Sequence, residues 1–353
     1  MKIALINDQH FGARNDSIKF LDYMEKFYSK VFFPYLEEHN ITRIIDGGDT
    51  FDRRKYVNFY TLERAKKFWF DPIEEKGLRL DVIVGNHCTY FKNTNEVNSP
   101  NILLNQYNNV FVYSEPVELE IDGLKIALLP WVCSGNYVES MKFIENTTAT
   151  VLYGHLELTG FEMYRGAMNE HGMDPSVFSK FQIVMSGHFH TKSTKKNIHY
   201  LGAPYEMTWS DYDDARGFHV FDTETLELTY IKNPYSIFHK VYYNDLDKTL
   251  DEVLNFDPSV YTNTFVKLVV RAKSNPYWLD MVVEKLEAAD VLDLQIIEDN
   301  IGLALDDDSD TVDEADDTLV ILKKYVDQLE TNVDRGLINK FISDLHHEAL
   351  NLE

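Results

Sequence analysis

Five short polar motifs gather side chains able to hold a metal or move a proton. They read Asp8-Gln9-His10-Phe11-Gly12, Gly47-Gly48-Asp49 with Asp52-Arg53 just behind, Gly85-Asn86-His87, Gly154-His155 and Gly187-His188-Phe189-His190. Five of the twelve histidines fall in them, a concentration that scattered surface histidines would not show. Mixed imidazole, carboxylate and amide donors suit Mn, Fe or Zn, whereas an all-oxygen set would favour Mg or Ca. Hydrolysing a phosphodiester needs an activated water and charge neutralisation at the phosphoryl oxygens. Two metals a few ångströms apart supply both when one anionic ligand bridges them. Asp49 is the natural bridge. His87 directly follows a ligand, so its ring is expected to point at the substrate. There it could donate a proton to the leaving oxygen or polarise the scissile phosphate. Each motif alone also fits an ordinary polar loop. The ordered set of five carries the metal reading.

The elements that must position these residues are legible as well. Each motif follows a short apolar run rich in β-branched residues: Lys2–Asn7, Arg43–Asp46, Leu80–Val84, Thr150–Tyr153 and Gln182–Ser186. Such runs read as buried strands. Helical stretches separate the first three, roughly Ser17–Glu38, capped at Asp16 or Ser17, and Val57–Glu75. Strand–helix–strand alternation implies an α/β sheet, whose ligands collect beyond the carboxyl ends of its strands. Glycine before the ligand at Gly48, Gly85, Gly154 and Gly187 is expected to let the backbone turn sharply there. Further strands are expected at Val110–Tyr113, Val117–Ile121, Lys125–Leu129 after an Asp122-Gly123 turn, Tyr200-Leu201, Gly217–Phe221 and Leu226–Ile231. The expected fold is α/β, a two-layered β-sheet core flanked by helices.

Beyond Asn233-Pro234 the chemistry-bearing motifs stop. Residues 236–303 read as a small α+β capping domain: strand Phe238–Tyr243, helix Leu246–Leu254, strand Phe265–Arg271, helix Pro276–Ala289 and strand Val291–Ile297. Residues 304–317 form an acidic linker, since eight of the twelve residues from Asp306 to Asp317 are acidic and cannot build a core. Residues 318–353 hold two amphipathic helices, one with Leu319, Leu322, Val326 and Leu329, the other with Leu337, Ile338, Phe341, Ile342 and Leu345 on one face.

Composition sets limits on function. A chain of 353 residues suits two or three compact units. No apolar run reaches the length of a membrane span, and the start of the chain turns polar too soon for a signal peptide. Two cysteines, Cys88 and Cys133, make no disulfide scaffold, which points to a cytoplasmic setting. A net charge of −24 argues against a nucleic-acid partner, but −17 of it lies in residues 241–353 and only −7 in residues 1–240. Two bound divalent cations would offset part of the latter where a phosphate would sit.

The set Asp8/His10, Gly48-Asp49, Gly85-Asn86-His87, His155 and His188/His190 resembles the calcineurin-like metallophosphoesterase superfamily. The run Asp8 to Gly12, Gly154-His155-Leu156, and Tyr200-Leu201-Gly202-Ala203 leading to Gly217-Phe218 are similar to its SbcD/Mre nuclease branch, in particular to tailed-phage recombination endonuclease subunits. That resemblance implies a DNA nuclease that trims duplex ends and cuts single strands, with Mn as its usual metal and an SbcC/Rad-type coiled-coil ATPase as its partner. It further implies that one ion takes Asp8, His10, Asp49 and His190 and the other Asp49, Asn86, His155 and His188, with His87 as the catalytic histidine. In this branch an acid usually follows Gly-Asn-His, and here Cys88 stands in its place. Asp52, three residues after the bridging aspartate, is the expected substitute to pair with His87, and Arg53 is the expected phosphate contact.

Three features outside the centre have more than one reading. The terminal helices on their acidic tether read as a docking device for a partner's coiled coil, or as packing on the parent domain. The helix carrying Phe59, Leu62, Phe68, Trp69 and Phe70 reads as a homodimer contact or as core. Arg53-Arg54-Lys55 and Lys192/Lys195/Lys196 read as DNA-backbone contacts or as solvated loops. A metallophosphatase of phosphoproteins or small phosphoesters would use the same site, and a non-catalytic scaffold with a structural metal is the third reading.

Overall fold

A computed structural model describes residues 1–164, 167–246, 248–298, 326 and 334–350, the last eight of these by their backbone only. The chain divides into two compact units, residues 1–305 and 306–353.

Two six-stranded sheets form the heart of the first unit. In the first sheet, β1 (Lys2–Ile6), β2 (Arg43–Asp46), β3 (Arg79–Ile83) and β4 (Val110–Tyr113) run parallel. An antiparallel pair, β13 (Gly217–Asp222) and β14 (Leu228–Lys232), completes its other edge. In the second sheet β6 (Leu124–Leu129), β7 (Val151–His155), β10 (Ile183–Gly187) and β12 (Ile198–Tyr200) are parallel. β5 (Val117–Ile121) and β11 (Ser193–Lys195) close its edges antiparallel. A two-residue-wide ribbon of β8 (Glu162–Tyr164) and β9 (Ala167–Met168) lies between β7 and β10 in sequence.

Period-two alternation explains the layering. Ile3 and Leu5 of β1 face the second sheet with Ile45 and Ile83, meeting Leu128, Val151, Tyr153 and Met185. Ala4 and Ile6 face the other way, with Ile44, Leu80 and Val82, onto Phe20, Phe27, Trp69 and Phe70 of the helices. The outer face of the second sheet packs Ala127, Leu129, Leu152 and Val184 against Ile144 and Phe178. The core is therefore a two-layered β-sheet sandwich flanked by helices, as expected.

The two expected helices are present with a shared modification. The first runs through residues 18–38 and the second through residues 59–75. Each contains a π turn, Tyr28–Phe32 and Lys66–Phe70. The turns meet, with Tyr28 and Trp69 ring centroids 4.6 Å apart and Phe32 and Trp69 5.2 Å apart. A pattern read at 3.6 residues per turn does not anticipate a π turn, whose bonds span one residue more. The second helix starts at Phe59 and not at Val57, since Asn58 caps it by accepting from the Tyr60 amide at 2.8 Å. Ser17 sits at the first helix's N-cap without a side-chain bond.

Residues 238–298 form a parallel sheet of β15 (Phe238–Asn244), β16 (Phe265–Ala272) and β17 (Asp293–Glu298), with helices Leu250–Leu254 and Pro276–Ala288. The helix expected from Leu246 begins only at Leu250, behind a Thr249/Glu252 capping box. Phe238 and Phe265 pack on Phe20 with centroids 6.0 and 5.6 Å away. The expected acidic linker, and the helix of Leu319, Leu322 and Leu329, lie outside the described residues. The second unit contains the helix Arg335–Leu350, on which Leu337 and Phe341 are exposed. Among the described residues no helix is long and apolar enough to cross a membrane.

Candidate metal centre

Register brings the five motifs to one place. Ile6 pairs with Asp46 and Asp46 with Val82, so β1, β2 and β3 end level. Gly154 pairs with Ser186 and His155 with Gly187 in the second sheet. The loops that leave these strand ends meet at the common edge of the sandwich.

Three groups of donor atoms result: two clusters of expected ligands, Asp8/His10/His190 and Asp49/His155/His188, and a third group, His10/Asp52/His87, that shares His10 with the first. In the first, His10 Nε2 and His190 Nε2 face each other at 3.1 Å. In the second, Asn86 Oδ1 lies 2.9 Å from His155 Nε2 and 3.0 Å from His188 Nδ1, adding an amide oxygen. Asp49 Oδ2 lies 3.2 Å from His155 Nε2 and 3.9 Å from His10 Nε2, so one carboxylate oxygen faces both clusters. All seven expected ligands are thus brought together.

In His155 and His10 the second ring nitrogen is tied off, which aims the first. His155 Nδ1–H donates to the Gly47 carbonyl at 2.9 Å. His10 Nδ1 bonds to Asp52 Oδ1 at 3.0 Å. The His188 amide donates to both Asp8 oxygens at 3.0 Å.

Charge states divide the four candidate histidines into two pairs. Burial opposes charge on His188 and His190, and neighbouring histidines add to it, so both sit well below the usual imidazole range and offer lone pairs. Burial also opposes charge on His10, but its Asp52 bond and the charges of Asp49, Asp52 and Asp8 outweigh it and lift it to about 9. His155 rises to about 9 because Asp49 overcomes the same burial. Burial holds Asp8 up, whereas His155, His87 and His10 outweigh burial at Asp49 and hold it well below the carboxylate range. Two carboxylates packed among inward-facing imidazoles, two of them neutral, form a donor set that divalent cations would fit.

The turns depart from expectation in an informative way. Of Gly48, Gly85, Gly154 and Gly187, only Gly48 has a left-handed backbone, with φ 106°. The candidate ligands themselves carry the strain: Asp8, His10, Asp49 and His188 have φ 52°, 45°, 54° and 84°. Such backbones cost about 1–3 kcal/mol each in non-glycine residues and persist where surrounding contacts impose them. Gly85 is needed for a different reason, because a Cβ there would lie 2.2 Å from Asp49 Oδ1.

His87 lies between these clusters and solvent. Its ring is 4.8 Å from that of His10 and it is only half-buried, unlike Asp8, His10, Asp49 and His155. Burial pulls it below the usual imidazole range. The expected pairing of His87 with the Asp52 side chain is not what forms. His87 Nδ1–H donates to the Asp52 backbone carbonyl at 2.7 Å, while the Asp52 carboxylate turns to His10. The left-handed His10 backbone points its Nδ1 at the loop, and a carboxylate is the stronger acceptor for it. Arg53 is likewise engaged, with Asn15 Oδ1 at 2.5 Å and Asp16 at 3.4 Å. Cys88 is fully buried with its thiol pushed up to about 12 by burial, and among the described residues it joins no metal-capable group.

Several participants carried no motif. Asp46 is buried under the Asp8 and Asp49 loops and is pushed up to about 7 by burial against its hydrogen bonds. It accepts from Gln9 Nε2 and Thr50 Oγ1 at 2.7 Å and from the Gly48 amide at 3.0 Å. Gln9 in turn accepts from Tyr28 at 2.6 Å, and Tyr205 donates to its carbonyl at 2.5 Å. An acid closing an apolar strand was the available signal for Asp46. Trp131, just past β6, sets its ring 5.1 Å from His188.

No protein-family model matches the chain. It is 32% identical over 352 residues to "Exonuclease subunit 1" of Enterobacteria phage T4, covering 99% of each chain. It is 25% identical over 211 residues to a putative phosphoesterase of Invertebrate iridescent virus 3, covering 58% of this chain and 57% of that one. A putative phosphoesterase of Invertebrate iridescent virus 6 is 25% identical over 220 residues, covering 60% and 73%.

Proposed function

Because the chain belongs to the metallophosphoesterase nuclease family of phage exonuclease subunit 1, we propose that it cleaves DNA phosphodiesters with two divalent cations, most suitably Mn. The observation that carries this reading is the single Asp49 oxygen facing both donor clusters. One ion would be held by Asp8, His10, Asp49 and His190, the other by Asp49, Asn86, His155 and His188. When bound, the pair supplies charge neutralisation at the phosphoryl oxygens and eases deprotonation of the attacking water. His87 works from the rim. Its Nδ1–H is fixed on the Asp52 carbonyl, which leaves Nε2 to exchange a proton with the substrate. An arriving phosphodiester anion raises the proton affinity of that ring, so the proton is taken up as substrate binds and passes to the leaving oxygen.

A subunit works within an assembly. The relative's name supports a partner, and we assign that role to a coiled-coil ATPase of the SbcC/Rad type, docked through residues 318–353, with residues 304–317 as the tether and 236–303 as the cap on the 1–235 nuclease domain. The helix of residues 59–75 divides its aromatics: Phe68, Trp69 and Phe70 are core, whereas Phe59 is 89% exposed and is our candidate for a homodimer contact.

The test is cleavage of labelled DNA with Mn, beside a phosphomonoester, for wild type and His87→Ser. DNA cleavage should fall about 10²–10⁴-fold in the variant while its Mn content holds. Unchanged cleavage would remove His87 from the mechanism, and a preference for the monoester would favour the phosphatase reading.

A further inference from the structure

The loops that leave Asp49 and His87 do not end at the metal centre. They continue into a strip where aromatic and basic side chains alternate. Tyr56 on the first loop is 59% exposed, and Tyr90 and Phe91 on the second are 41% and 47% exposed. Arg53 lies over the Tyr56 ring at 5.0 Å and Lys55 over the Tyr90 ring at 6.0 Å. Arg54 joins the loops by donating to Thr89 Oγ1 at 3.3 Å, and Lys92 is exposed beside Phe91. Tyr90 and Phe91 follow His87 by three and four positions, so their Cα atoms lie within about 11 and 14 Å of the His87 Cα.

The second loop is tied down. The Tyr90 amide donates to the Val97 carbonyl at 2.8 Å, and the Gly135 amide to the Asn93 carbonyl at 3.0 Å. Buried Asn95 donates to the Trp131 carbonyl at 2.8 Å, tying the loop to the strand end that flanks His188. Tyr90 and Phe91 meet edge to face at 4.8 Å. A fixed pair of rings left in water, in a chain of net charge −24 that gathers cations around them, calls for an anionic occupant with flat apolar faces. Duplex DNA offers phosphates but hides its base faces in the stack. Unpaired nucleotides offer both.

We propose that Tyr90 and Phe91, flanked by Tyr56 and the cations Arg54, Lys55 and Lys92, form a stacking platform for unpaired nucleobases of single-stranded DNA next to the scissile phosphate. The proposal rests on the DNA-cleaving reading above. It makes the protein selective for strands already unpaired, or frayed at a duplex end, because the base gains a stacking partner only once it has left its own stack.

The experiment compares wild type, the double variant Tyr90→Ala/Phe91→Ala, and the double swap Tyr90→Phe/Phe91→Tyr, which keeps both ring faces. Binding of labelled oligothymidylate and of a blunt hairpin duplex is followed by anisotropy. Hydrolysis of bis(p-nitrophenyl) phosphate, which needs only the metal centre, is followed with Mn. The alanine pair should weaken oligothymidylate binding about 10–100-fold, leave the duplex and the small diester near wild type, and be matched by no loss in the swap. Equal oligothymidylate binding in the alanine pair overturns the platform while the nuclease reading stands. Loss of small-diester hydrolysis as well assigns the rings a structural role and overturns it too. A wild type that hydrolyses the small diester but binds no DNA ends both readings. A change in sedimentation of the free protein without a change in DNA binding makes the strip a contact between two copies, which also overturns the platform.

Discussion

Asp52 serves two histidines through two different atoms, its carboxylate holding His10 and its carbonyl holding His87. The two roles can be separated because a side-chain substitution removes only the first. Asp52→Ala should weaken Mn binding about 10–100-fold, the usual cost of losing the partner that orients a ligating imidazole. The maximal rate at saturating Mn should largely recover. Calorimetric Mn titration beside rate measurements checks this. A rate that stays low at saturating Mn, with affinity intact, would mean that the carboxylate serves His87 after all. The same geometry explains how Cys88 is tolerated where an acid is usual. His87 already has a backbone acceptor, so the neighbouring position is free to be a small buried packing residue.

Between elements, buried polar bonds set the level of the loops. Tyr28 reaches Gln9 from the π turn of the first helix, and Gln9 reaches Asp46 beneath Asp49. Tyr28→Phe should cost about 1 kcal/mol in urea unfolding, since Gln9 Oε1 loses its donor, and should also lower Mn affinity. An unchanged Mn affinity would show that the π turn serves packing alone. A second junction joins the cap to the core. Glu206 accepts from the Ile237 and Phe238 amides at 2.7 and 3.0 Å, and burial pushes its carboxyl up to about 7 from 4.5. The folded state therefore keeps a proton that the unfolded chain releases. Stability from this group is full below about pH 4.5, declines as pH rises to about 7, and stays lost above. Glu206→Gln keeps an acceptor and removes the titration. Its stability relative to wild type should rise on the order of 2–3 kcal/mol between pH 5 and pH 8. Urea unfolding at both values checks it, and a constant gap would refute the assignment.

For the whole molecule, the acidic charge and the candidate docking helix belong to the end of the chain, and the metal centre to the first unit. Leu337 and Phe341 are each 64% exposed on the helix Arg335–Leu350, which leaves an apolar stripe for a partner. A chain ending at Leu305 should keep its urea midpoint and its hydrolysis of a small diester, and should lose co-purification with the proposed ATPase partner. Retained co-purification would place the docking surface elsewhere.

The seven candidate ligands were legible because metal chemistry restricts residue types and because apolar strands mark where loops must begin. The two-sheet core was legible for the same reason: runs such as Lys2–Ile6 and Ile183–Gly187 have few other places to go. What the sequence could not convey depends on direction in space. Asp52 was recognisable as a partner, but only the left-handed backbone of His10 decided which ring its carboxylate meets. Gly85 looked like a turn residue, and only the approach of Asp49 shows that it is a clearance. Asp46, Gln9, Tyr28 and Tyr205 sit far apart in sequence, and a buried hydrogen bond between distant residues leaves no local period or spacing to read. Sequence fixes which groups can do the chemistry, because that is a matter of side-chain type. Tertiary structure alone decides which atom of each group faces the metal, because backbone torsions and packing set that direction.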